Sequence, residues 1–199
     1  MNILPAAFYQ RPTLTIAREL LGKTFFRHFG GRLLSGRIVE VEAYHQSGDE
    51  SSHSFRGRGT RNDVMFHAGG QLYVYFTYGM HFCMNVVTEK EGVGAAVLIR
   101  ALEPLEGIDL MRLHRGEEKR DRDLASGPAK LCQAFGIGRE ENGLALDGTL
   151  VGIADAPKIP SHGIIITPRV GISRSRELPW RFFLADSPWV SSGRPSRPI

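Results

Sequence analysis

The stretch LYVYFTYGMHFCMN, residues 72–85, alternates between apolar and polar side chains on both sides of one glycine, the pattern of a β-hairpin. Its register decides which side chains share a face. A two-residue loop at Gly79-Met80 pairs Phe76 with Cys83 and Val74 with Asn85, and then neither face is cleanly apolar. A three-residue loop, Tyr78-Gly79-Met80, collects Leu72, Val74, Phe76, Phe82, Met84 and Val86 on one face. Tyr73, Tyr75, Thr77, His81, Cys83 and Asn85 fall on the other. A one-residue slip exchanges the faces, so the pattern selects the three-residue loop and leaves Tyr78 and Met80 at the tip.

Working outward, RIVEVEAYHQ (37–46) alternates as clearly. Val39, Val41 and Ala43 face one way, and Glu40, Glu42 and Tyr44 the other. Two carboxylates at i and i+2 repel unless a cation compensates, and such pairs can divide into distinct acid and base roles. A solvated edge strand is the plainer reading. The tyrosine on the same face and the polar loop that follows favour a site. Arg100 closes the apolar run AAVLIR, and a buried arginine needs an acceptor. Glu42 or Glu40 is the obvious partner if these strands are neighbours.

The remaining chain reads as α+β, a compact single domain over 1–192 with a frayed tail over 193–199. The expected architecture is a mostly antiparallel curved sheet with packed helices and a protruding hairpin. A helix is predicted over PTLTIARELLGK with Thr13 as N-cap, and strands follow around a Gly30-Gly31 turn. Strand 95–102 precedes a helix near PLEGIDLMRLHRG. Another helix, GPAKLCQAFG, is capped by Ser126, with Pro128 in its first turn. Late strands are predicted at 164–173 and 180–185. Residues 45–70 form a long polar loop, a length that usually carries function.

Composition narrows the class further. With 42% hydrophobic and 9% aromatic residues the chain can bury a sizeable core. No apolar run reaches the length of a membrane span, and no secretory signal is apparent, so a cytoplasmic protein is expected. Cys83 and Cys132 are expected as buried free thiols. Net charge is +4, and only five of the 25 basic residues are lysines. Arginine's planar fork suits phosphate, which makes nucleic acid a candidate partner, although codon usage alone could produce the bias.

Three loop readings stay open on the residues alone. His45, Asp49, Glu50 and His53 in HQSGDESSH could be imagined as metal ligands, but their spacing fits no tetrahedral site. Arg56, Arg58 and Arg61 lie among glycines in FRGRGTRN, a flexible basic segment fit for phosphates. Lys130 stands near a helix N-terminus and is a candidate phosphate contact or a solvated lysine. An exposed Tyr78/Met80 tip either packs on another loop or serves as an apolar wedge between base steps.

The motifs GRIVEVEAY, SSHS, TRNDVMF, LYVYFTYGMHFCMN, VLIRALEPLEG, SGPAKLCQA and RFFLADSPWVS occur in this order from about residue 4 to residue 192. Together the chain resembles the alkyladenine (3-methyladenine) DNA glycosylases. Any one motif is weak; seven in register are specific. The resemblance implies a monomeric α+β enzyme, without metal or cofactor, that excises alkylated or deaminated purines from duplex DNA by water attack and leaves the strand uncut. It implies that Glu42 activates the water and Arg100 helps hold both. Tyr44, His53 and Tyr75 would wall the base pocket, and Asn85 would crowd the purine 2-position. Tyr78 would enter the helix where the base has left, with Met80 beside it. His81 stands where the family pattern carries another aromatic, and Phe76-Thr77 replace aliphatics. These departures bear on lesion preference. In a bacterial cell such a protein is expected in the cytoplasm, at the nucleoid.

Overall fold

Glycines at positive φ set the first hairpin: Gly30 (φ 55°) and Gly31 (φ 76°) let strand β1 (Thr24–Phe29) turn tightly into β2 (Arg32–His45). In this computed structural model, which describes residues 1–193, β2 is the central strand. Its first half pairs with β1, its length with β5 (Ala95–Glu106), and residues 40–42 with β8 (Arg181–Leu184). Strands β3 (Leu72–Thr77) and β4 (His81–Val87) form the second hairpin, docked on β5 through β4. Strand β6 (Val151–Ala154) extends the sheet beyond β1, and β7 (Ile164–Thr167) pairs with β8. The main path runs β3-β4-β5-β2-β1-β6, every pairing antiparallel, in a strongly curled sheet.

Helices α1 (Ala6–Tyr9) and α2 (Thr13–Leu20) pack at one side of this sheet. Helices α3 (Ile108–Arg115), α4 (Asp121–Leu124) and α5 (Pro128–Ala134) follow β5. One large core joins them: Ile16 and Leu20 of α2 meet Val39 and Val41 of β2, Val74, Met84 and Ile99 of the sheet, and Leu131 and Phe135 at α5. Burying a Leu- or Phe-sized side chain stabilises by roughly 1.5–3 kcal/mol, so this cluster is what holds the curled sheet closed. A bulge in β2 skips Val39 in the β5 ladder, so the consecutive Ile38 and Val39 both lie in the core.

The hairpin register is the three-residue one. Thr77 faces His81, Tyr75 faces Cys83 and Tyr73 faces Asn85. The carboxylate strand is not a solvated edge, since β2 is paired on both sides and Glu40 and Glu42 are fully buried. Cys83 and Cys132 are free and buried. Among the described residues no helix is long and apolar enough to cross a membrane.

Four expected boundaries move. The strand expected over 95–102 runs on to Glu106, and the helix read near PLEGIDLMRLHRG begins only at Ile108. Thr13 is the first helical residue of α2 rather than its cap; its N–H and hydroxyl are taken by Glu89 at 3.1 and 2.8 Å, so a distant carboxylate serves as cap. Ser126 gives way to Gly127 as the cap of α5, with Pro128 at the first position. The predicted strand 164–173 stops at Thr167, because Pro168 has no N–H for the ladder and Arg169 turns inward. The frayed tail expected over 193–199 lies, apart from Gly193, outside the described residues.

Candidate active site

The alternation of β2 carries Glu42 to the face opposite the main core, where three donors converge on it. Its Oε1 accepts the Val170 N–H at 2.7 Å; its Oε2 accepts the Tyr44 hydroxyl at 2.9 Å and Arg100 Nη1 at 3.2 Å. An ionised carboxylate offers about four acceptor positions, so one remains for a further donor. Arg100 reaches it from β5 because Leu98 pairs with Glu42 and the pleat places Arg100 beside both β2 carboxylates. Burial works against the charge of Arg100, and Glu42 and Glu40 outweigh it, raising its pKa.

In front of these groups opens a cavity of about 500 Å³, within the range of small-molecule sites. Tyr44, Arg100 and Val170 line its inner end, with Glu42 directly behind them. His53, Tyr75 and Asn85 line its sides. His53 meets Tyr75 edge-on, ring centroids 4.5 Å apart, so these two rings make one wall together. Tyr73, which sequence reasoning put on the right face without a role, fixes that wall: its hydroxyl lies 2.9 Å from His53 Nδ1. Although His53 is open to the cavity, the partial desolvation of its ring, seconded by the charge of Arg61, lowers its pKa and favours the neutral form. Burial raises the phenols: Tyr73 to about 12, and Tyr44 and Tyr75 above the ordinary range, so all three keep their protons at neutral pH. Asn85 donates its amide to the Tyr73 carbonyl at 3.0 Å, which fixes its orientation at the wall.

At the hairpin tip, Tyr78 is 84% and Met80 70% exposed, which excludes packing on another loop. Tyr78 also holds a left-handed φ of 51°. It borders the cavity mouth with Thr77. The arginine loop is knotted by Asn62, which donates to the His53 and Gly57 carbonyls and accepts from the Gly59 N–H. The loop is pinned at its start by Ser54, whose hydroxyl donates to the Gly94 carbonyl; a Cβ on Gly94 would lie 2.5 Å from Ser54 Cβ. Arg56, Arg58 and Arg61 are exposed; Arg58 pairs with Asp63 at 2.7 Å, and Arg61 donates to the Phe76 carbonyl beside the tip. Lys130 is half-buried on α5, two residues beyond Pro128 at the cavity wall.

The four imagined metal ligands are separated. Asp49 is buried against Arg169, His45 faces Glu89, and Glu50 pairs with Arg174. Among the described residues no group of three or more His, Cys, Asp and Glu side chains converges. Sequence reasoning missed the Asp49–Arg169 pair, the Val170 N–H and segment 170–174, which closes one side of the cavity. Buried Arg169 lies 4.5 Å from the Tyr44 ring centre and 5.4 Å from that of Trp180. The arginine within an apolar PRVG run was the available signal, since such a residue demands a buried carboxylate.

Fold and cavity define an α+β protein with a buried carboxylate behind a cavity walled in part by aromatic rings. The chain matches the methylpurine-DNA glycosylase family over residues 7–188. It is 52% identical over 199 residues to a protein of Chlorobaculum parvum, covering 100% of this chain and 95% of that one. A protein of Methanoculleus marisnigri is 50% identical over 191 residues, 94% of this chain and 98% of its own. One of Carboxydothermus hydrogenoformans is 47% identical over 190 residues, 95% and 98%. All three carry the provisional name 3-methyladenine DNA glycosylase. The chain belongs to the methylpurine-DNA glycosylase family, whose activity is that of a DNA glycosylase on alkylated bases.

Proposed function

We propose that this protein flips alkylated purines, and deaminated ones, out of duplex DNA and hydrolyses their N-glycosidic bond with a water activated by Glu42. The observation that carries the reading is the open acceptor position on Glu42, a buried carboxylate at the inner end of an aromatic cavity. The target bond lies inside the base stack, so the nucleotide must leave it at a cost of a few kcal/mol. Tyr78 fills the gap and Met80 packs beside it. Arg56, Arg58, Arg61 and Lys130 hold phosphates.

In the cavity the base lies against the His53–Tyr75 wall with Tyr44 on its other side. A cationic purine against aromatic faces gains roughly 0.5–2 kcal/mol over a neutral one, which favours alkylated bases. Asn85, held by its bond to the Tyr73 carbonyl, crowds a guanine 2-amino group. The bond from the purine nitrogen to the sugar C1′ breaks; its electron pair neutralises a cationic alkylated ring, whereas a neutral deaminated purine takes up one solvent proton as it leaves. Water oxygen bonds to C1′ and its proton passes to Glu42, while the carboxylate offsets the positive charge developing on the sugar. Arg100 holds Glu42 in place. The product is an abasic site in an uncut strand.

The test is base release from a panel of lesion duplexes with Glu42→Gln as the comparison. Release should vanish in the variant while lesion binding persists; normal turnover by Glu42→Gln overturns the assignment. Persistence of release in excess chelator separates this reading from a metal-dependent hydrolase, and release itself separates it from a non-catalytic damage-binding module.

A further inference from the structure

Two residues before Glu42 on the same strand, Glu40 is fully buried and does not line the cavity. Four donors converge on it, one more than on Glu42. Oε1 accepts Arg100 Nε at 2.9 Å, Arg181 Nε at 2.7 Å and the Ser191 hydroxyl at 3.0 Å; Oε2 accepts the Ser191 N–H at 2.7 Å. Burial opposes its ionisation, and Arg100, Arg181 and Ser191 outweigh burial, holding the carboxyl below the usual range. It therefore has no proton to give and no route to the cavity. The open question of how the two carboxylates of EVE divide their work has a geometric answer.

That answer runs through Arg100. Its Nε is bound to Glu40 and its Nη1 to Glu42, so Glu40 sets the orientation of a rigid fork whose other arm holds Glu42. Charge is balanced over the whole cluster. Glu40, Glu42 and Asp49 are buried together with Arg100, Arg169 and Arg181. With equal numbers of each sign, the two β2 carboxylates need not share a proton, as an uncompensated pair would. We propose that Glu40 is a positioning residue for the reaction: with Arg181 and Ser191 it fixes the fork of Arg100 against Glu42 and balances its charge, so that Glu42 alone acts as base. This inference rests on the function proposed above.

The groups facing Glu42 are Glu40 and Tyr44 from its own strand, Arg100 from β5, Arg181 from β8, Tyr75 and Cys83 from the hairpin, and, from the loops, Arg169, itself paired with Asp49. Single-turnover release of 7-methylguanine is measured against pH. Glu40→Gln should slow release at neutral pH on the order of 10²-fold, with lesion affinity unchanged, because the fork loses its anchor. Removing a negative charge makes protonation of the site harder, so the acid limb should move to lower pH, by about one unit. Arg181→Met should move the limb the other way, and Glu40→Gln/Arg181→Gln should return it towards the wild-type position at reduced rate. A merely structural role predicts no such opposed movement. Wild-type rate in Glu40→Gln, or slowed release with the limb unmoved in both single variants, overturns the inference. If a single variant is unfolded by circular dichroism, the charge-balanced double variant decides: full rate or a displaced limb overturns it. No release by the wild-type protein sinks the function reading itself, whereas wild-type release with these contrary results overturns only the role of Glu40.

Discussion

Asp49 and Arg169 are joined by two charge-assisted hydrogen bonds, 2.6 and 2.7 Å long, with neither side chain exposed. They stand 120 residues apart and tie the loop after β2 to the segment that closes the cavity. Arg169 also donates to the Ala43 carbonyl and lies against the Tyr44 ring. Removing the carboxylate strands a buried guanidinium, which typically costs about 3–5 kcal/mol. Asp49→Ala should lose that much by urea titration, and lesion binding should weaken as the Tyr44 wall loosens. A loss below about 1 kcal/mol would mean that the pair does not hold the loops.

Tyr78 holds a left-handed conformation that costs a non-glycine residue roughly 1–2 kcal/mol, and asparagine bears it better. Tyr78→Asn should leave stability equal or raise it by up to about 1 kcal/mol, while lesion affinity falls. Thermal melting and binding to a lesion duplex check the two halves. Unchanged affinity would remove the wedge from the mechanism.

Phosphate contacts should appear as salt dependence. Arg56→Ala and Arg61→Ala should each reduce the slope of log affinity against log salt by about one, across lesions alike. Arg58 is engaged by Asp63. Asp63→Asn should therefore release it and strengthen DNA binding, measured by fluorescence anisotropy at several salt concentrations.

His53 is open to the cavity, yet the protein packed around its ring (Tyr73 and Tyr75 among it) and the charge of Arg61 set its pKa in the fold below that of the unfolded chain. In that window the unfolded state binds more protons. The contribution of His53 is thus complete above the ordinary histidine pKa, about 6.5, and is lost as pH falls through it towards the lowered value. Melting temperature should drop between neutral and mildly acidic pH, and less so in His53→Gln. Equal drops in both proteins would assign the sensitivity elsewhere.

The register of the hairpin was readable because a slip would have exchanged an apolar face for a polar one. The partnership of Arg100 with the β2 carboxylates was readable for a related reason: a charge at the end of an apolar strand admits few solutions. What was not readable has no period. Nothing local links Asp49 to Arg169, or Ser191 to Glu40, because loop contacts across more than a hundred residues leave no repeating mark. Thr13 looked like a cap because local chemistry favours it, and Glu89, far along the chain, took that place. The roles proposed for Asn85 and Tyr78 rest on resemblance; the fold shows Asn85 at the cavity wall and Tyr78 exposed at the hairpin tip.

The two ends of the site differ in how they are held. Glu42 lies on a strand bonded to β5 on one edge and β8 on the other, over a filled core. Tyr78 hangs in a loop whose own turn is closed by a single 3.3 Å backbone bond, Met80 N–H to the Thr77 carbonyl. If the tip probes DNA as proposed, it yields under load before the strand that carries Glu42 is disturbed. On the proposed mechanism, undamaged DNA is tested many times by the hairpin without straining the atoms that hydrolyse the glycosidic bond, and substitutions at the tip retune which lesions are found while leaving the bond-breaking groups as they are.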